Sequence, residues 1–198
     1  MSNYPEYIEI KGKKYKINTD FRIAIQCNEI AQDKSIGDLE RALAIIYLLF
    51  GDEGLEDKDN HNELLIMAKK FLSCEKEVED RDEIPDMDYI EDMDYIEASF
   101  MSDYHIDLSN VDMHWYKFNK LINGLSNSEF GNCCILNNIR NIRNMDISKI
   151  EDLKEREKII DAKKRVELKK YKKENNLTDK QLESINDLYS QLNIERSW

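Results

Sequence analysis

The chain has 198 residues, room for one domain with an appendage or for two small ones, and for a core of useful size. Six Gly and two Pro disfavour loop-rich β sandwiches and glycine-dependent cofactor folds, and favour helices. A formal net charge of −12 removes the counterion-release gain of nucleic-acid binding, and the longest apolar run, ALAIIYLLF, is too short to span a bilayer. The charge is uneven. Glu75 to Glu97 holds twelve acids and two bases, whereas Lys149 to Glu174 holds eleven bases and seven acids, interleaved as on a solvated helix. The N-terminus lacks the apolar core of a signal peptide, so Cys27, Cys74, Cys133 and Cys134 are expected as reduced thiols in a cytosolic protein.

YIEIKGKKYKIN, 7–18, alternates across a Lys-Gly-Lys turn and predicts a β-hairpin that must lie on helices or another chain. Thr19 or Asp20 caps a first helix with Phe21, Ala24, Ile25 and Ile30 on one side. Ser35 or Asp38 opens a second, DLERALAIIYLLF, ending at Gly51 and apolar enough to be central. GDEGLEDKDN is expected as a polar loop, 61–72 as a third helix, and 73–85 as an acidic loop closed by Pro85.

DMDYIEDMDYIE, 86–97, writes one hexamer twice. Read as the start of a helix over 88–104, it places Tyr89, Met93, Ile96, Phe100 and Tyr104 on one stripe. Tyr89 and Ile90 are then partly buried, Met87 and Tyr95 exposed. Asn110 or Asp112 caps the next helix, whose apolar side is Trp115, Phe118, Leu121, Ile122 and Leu125. A helix over 128–143 follows. A long charged helix spans 147–174, and Thr178 caps a last one. The fold class is mainly α: a multi-helix domain with a short N-terminal β-hairpin and a long charged C-terminal helix. The organisation read from the sequence is 1–72 (hairpin plus helices), 73–85 (acidic loop), 86–145 (central helices) and 146–198 (charged C-terminal helices).

No phosphate loop, nucleophile elbow or zinc-helix motif occurs, and His61, His105 and His114 fall at no ligand spacing. No catalytic, cofactor or metal residue is assigned, and no cofactor is expected. An acid run without a turn glycine is a poor calcium loop. The informative residues are aromatic. Tyr95, Tyr104, Trp115 and Tyr116 surround a helix–turn–helix junction; Trp115 reads as core, while Tyr95 and Tyr116 project off their stripes and are candidates for a partner surface.

Tyr95-Ile96-x-Ala98-Ser99-Phe100, Tyr104-x-Ile106-Asp107-Leu108, His114-Trp115-Tyr116-Lys117-Phe118 and Leu121-x-x-Gly124-Leu125 together resemble the phage gene-product-fifteen family. Members are encoded beside the tape-measure gene in tailed phages and prophages of Gram-positive bacteria. Ile139, Arg140 and Asp146 to Lys149 also fit, so the match spans about 86–173; the N-terminal half agrees in outline, Tyr116 replaces a second Trp, and nothing supports the helix after 175. The resemblance implies a non-enzymatic tail-assembly chaperone in the host bacterial cytoplasm. It would bind the tape-measure protein and help recruit tail-tube protein, with no nucleic-acid or membrane partner and self-association left open. A component retained in the tail or baseplate is the alternative; a hydrolase or a DNA mimic fits less well. On the chaperone reading, Asp86, Asp88, Asp92 and Asp94 would steer a basic partner helix by long-range charge.

Overall fold

A computed structural model describes residues 4–76, 84–127 and 133–171. Among them stand a two-stranded hairpin, β1 (Tyr7–Ile10) and β2 (Lys13–Lys16), and seven helices: α1 (Phe21–Gln32), α2 (Asp38–Glu56), α3 (His61–Leu72), α4 (Met93–Tyr104), α5 (Trp115–Asn123), α6 (Ile135–Asn144) and α7 (Leu153–Arg165). The chain up to Glu167 forms one compact unit; a second begins at Leu168, with a 3-10 turn at Lys169–Tyr171. No helix among the described residues is long and apolar enough to cross a membrane.

The hairpin forms where the alternation puts it. Ile8 faces Tyr15 and Ile10 faces Lys13, and Lys11 and Gly12 both take positive φ, as a two-residue hairpin turn of the right twist demands. Ile8, Ile10, Tyr15 and Ile17 are buried against the helices. The buried Tyr15 hydroxyl donates to Asp57 at 2.5 Å, and Lys13 reaches the same carboxylate at 3.0 Å. Lys11 pairs with Glu63 at 2.8 Å. The sheet is thereby tied to the α2–α3 turn.

Asp20 caps α1 by accepting from the Arg22 N–H at 2.8 Å. α2 runs past its expected end, but only through a break: Gly51 sits at φ 65°, ψ −160°, a conformation open to glycine alone. The segment read as a polar loop is therefore helical again over 52–56, and Lys58–Asn60 is a 3-10 turn. An interrupted helix leaves carbonyls in need of donors, and Asn18 N–H supplies one to Leu49 O at 2.7 Å.

The two halves meet at a clip. An isolated bridge pairs Asp20 with His114, made by Phe21 N–H to Met113 O at 3.0 Å and Trp115 N–H to Thr19 O at 2.7 Å. It sets Phe21 on Phe118, rings stacked at 4.6 Å, and Phe118 also meets Phe100 at 5.3 Å and Trp115 at 5.8 Å. These rings are buried, and the Trp115 indole N–H is satisfied by Leu72 O at 3.0 Å.

Four expectations fail here. The helix expected over 88–104 starts at Met93, because the Asp88 carboxylate accepts from Ile90 N–H and Glu91 N–H and closes a turn instead. That turn exposes Ile90 and leaves Met87 and Tyr95 half-buried, the reverse of the stripe reading, while Tyr89 is half-buried as expected. α5 is capped by His114, not by Asn110 or Asp112, since the clip fixes its first residue as Trp115. The long charged helix is broken: Asp146 and Asp152 each accept backbone N–H bonds, the first opening a 3-10 turn at Ile147–Lys149 and the second opening α7. The helix expected over 128–143 is α6, opening at Ile135. Residues 128–132, most of the acidic loop and the segment from 172, Thr178 included, lie outside the described residues.

Asp57 is held down to about 2 by the Tyr15, Lys13 and Asn60 hydrogen bonds, in that order. A depressed carboxylate stabilises the fold above its unfolded value and ceases to do so as pH falls through its folded value. We expect Asp57→Asn to lower stability at neutral pH, and the gap to the parent chain to close between about pH 4 and pH 2 in urea titrations. Gly51→Ala should cost about 1–3 kcal/mol in the same measurement, since no space problem but a forbidden backbone conformation opposes it.

Candidate interaction surface

The doubled hexamer is built into an internal carboxylate–guanidinium junction. The first residue of each copy meets an arginine of α6. Asp86 takes two bonds from Arg140 at 3.1 Å, half exposed. Asp92 is buried and takes a bidentate pair from Arg143 at 2.6 and 2.7 Å. Arg143 also donates to Asp86 O and Val166 O, and Asp92 accepts from Asp88 N–H, so the buried carboxylate and its largely covered arginine are each held by several bonds. Asp88 is buried as the turn-closing carboxylate. Asp94 alone of the four steering candidates is an exposed carboxylate without an internal partner among the described residues.

The aromatic candidates are likewise tied inward. Tyr104 donates from its hydroxyl to Leu121 O at 2.9 Å and packs edge-on to Phe100. Trp115 is core. Tyr95 is half-buried, its carbonyl accepting from the buried Ser99 hydroxyl at 2.7 Å; that hydroxyl in turn accepts from Leu136 N–H and anchors the start of α6. Tyr116 stacks on Phe71 at 5.3 Å, beside Tyr4 and His114, and burial pushes its phenol up to about 12. Tyr89, edge-on to Trp115 at 5.6 Å, is raised to about 12 by the same cause. Of these rings, Tyr116 and Tyr4 come closest to a surface cluster: both are half-buried, and Lys120 sits over Tyr4 at 4.8 Å.

His114 fixes the edge of that cluster. Its Nδ1 accepts the Tyr116 N–H at 3.0 Å, so Nε2 carries the proton and donates to Pro5 O at 3.0 Å. One neutral imidazole thus caps α5 and fastens the strand leading into β1. Among the described residues no group of His, Cys, Asp and Glu could hold a metal ion.

The other face of His114 borders a groove of about 860 Å³ between β2 with its continuation to Asp20, the end of α2 and the loop before α5. Ile23, Leu48, Phe50 and Met113 give it an apolar floor, with Tyr47 standing half exposed at its side. Glu6, Asp52 and Asp112 are its acidic rim, with Lys16 beside them. Of these four charged side chains the sequence singled out only Asp112, and that as a helix cap rather than a surface residue. The one signal available was Tyr47, the one polar-tipped side chain in an otherwise wholly apolar run ending at a helix-breaking glycine.

Fold and surface together define a mainly α protein whose two halves are clipped around an aromatic core and whose open concavity is acidic and apolar. The chain belongs to a bacteriophage family: the family model described as Bacteriophage Gp15 protein matches residues 1–168. The match takes in the N-terminal half, where the sequence resemblance was only an outline. No curated protein matches, and neither does any solved structure.

Arg143→Ala should cost about 3–5 kcal/mol by stranding a buried carboxylate, whereas Arg140→Ala, at the half-exposed pair, should cost about 1 kcal/mol or less. Chemical denaturation of the two variants side by side measures the contrast.

Proposed function

We propose that this phage protein is a non-enzymatic tail-assembly chaperone that binds the tape-measure protein and helps recruit tail-tube subunits in the host cytoplasm. Family membership supports the phage structural or assembly class. The observation that carries the finer reading is the groove: an apolar floor under unpaired carboxylates suits a helical partner with basic and apolar sides. Charge steering needs acids that are free to act at a distance. Asp94 and the groove rim meet that requirement, while Asp92 is consumed by Arg143. Reversing all four acids of the doubled hexamer would therefore test folding before it tested association.

Co-expression with the tape-measure protein from the same phage is expected to yield a co-purifying complex. Peptide mass spectrometry of mature particles is expected to find the chaperone absent or strongly substoichiometric. Stoichiometric amounts in the particle would instead identify a retained tail or baseplate component.

A further inference from the structure

The groove beside the α2 break has a shape and a charge that select one kind of occupant. Its walls are preformed. Gly51 turns the chain out of helix, Asn18 N–H holds Leu49 O, and the Asp20–His114 bridge fixes the opposite side. Glu6, Asp52 and Asp112 make no side-chain hydrogen bond or ion pair with the described residues, although nearby acids do: Asp20 pairs with Arg22, Glu53 and Asp57 with Lys13, Glu63 with Lys11. The three rim carboxylates share the groove edge with a single lysine, Lys16, so the edge is acidic overall.

A helix about 10 Å across fills roughly 420 Å³ per 5.4 Å turn. The groove's 860 Å³ therefore corresponds to about two turns. Over two turns, residues three and four apart share a face. An apolar pair on that face would cover Tyr47 and the Ile23–Leu48 floor, and Lys or Arg on the flanks would reach Asp52 and Asp112. We propose that this groove is the docking site for a two-turn segment of basic amphipathic helix, with Tyr47 as its apolar contact and Glu6, Asp52 and Asp112 as its charge partners. The proposal rests on the helical-partner reading above and gives that partner a place and a chemistry. Because the walls are set before binding, little ordering cost opposes association.

The test uses the full chain and a fluorescently labelled synthetic helix of Lys and Leu, with a Glu-for-Lys version as its counterpart, in polarisation titrations near physiological salt. The Lys helix should bind and the Glu helix should not. Asp52→Lys with Asp112→Lys should weaken binding about tenfold or more, and Tyr47→Ser at least several-fold. Glu155→Lys with Glu157→Lys makes the same charge change on exposed α7 positions that do not line the groove. It should leave affinity within about twofold, since surface charges beyond about 8–10 Å are screened. Circular dichroism confirms that each variant is folded. Equal loss in the α7 variant, or no effect of Tyr47→Ser, would reduce the binding to general charge attraction and overturn the site. A concentration-dependent dimer in sedimentation that the groove variants abolish, with no binding of the Lys helix, would make the occupant a second copy and overturn it as well. A tape-measure complex that survives the groove variants would overturn the groove but not the chaperone reading; a groove that binds the Lys helix without any tape-measure complex would do the opposite.

Discussion

Two backbone hydrogen bonds between the starts of α1 and α5 hold the rest of the structure in register. The first N–H groups of a helix have no partner inside it, and here Phe21 and Trp115 each lend theirs to the other's lead-in segment, at Met113 and Thr19. This exchange satisfies two buried donors at once. It also fixes two helix phases, because a residue that begins a helix at a set point has a set direction for every side chain after it. Phe21 and Phe118 stack as a result, and Phe100 and Trp115 close on Phe118 from other sides. The groove depends on the same exchange, since one of its walls is the segment from Lys16 to Asp20 and another is the Asp112–His114 loop.

How much of this could be read from the sequence depended on whether a residue's partner lay nearby in the chain. The hairpin, α1 and α3 came out as expected because alternation, caps and apolar spacing are local. The hairpin's side chains are buried in the order the alternation gives, and Asp20 is one of the two caps named. The start of α4 did not come out, since Asp88 and Asp92 look like ordinary first-turn acids until Arg143 arrives from 51 residues away. Asn110 and Asp112 are better cap formers than histidine. His114 nonetheless caps α5, because a long-range bridge decides where that helix begins. The break before α7 was legible in principle: Asp146 and Asp152 are cap residues, but a run of interleaved charges with good helix propensity hid them.

The candidate surface was legible only in kind. An acidic, helical chain with off-stripe aromatics and no catalytic motif pointed toward a binding protein, and the residues of the family pattern pointed toward a phage. Those pattern residues are now seen to hold the fold itself. Trp115 reaches Leu72, Tyr104 reaches Leu121, Asp107 closes its own turn on Ser109 and Asn110, and Arg22 of α1 ties the carbonyls of Leu108 and Val111. A motif is conspicuous where side chains have several obligations. A groove is made of residues with few, so its rim of Glu6, Asp52 and Asp112 carried no pattern to find.

The doubled hexamer is one sequence in two conformations. Its first copy is a turn, its second a helix; Asp88 is enclosed and Asp94 open, Ile90 open and Ile96 enclosed. Only the opening aspartate plays a shared part, each facing its own arginine one helical turn apart on α6. Anyone aligning a relative that carries a single copy meets two equally good registers in the letters alone. The tie is broken by the arginine: a relative that keeps Arg143 but lacks Arg140 should be placed on the second copy, with the missing six residues taken from the turn.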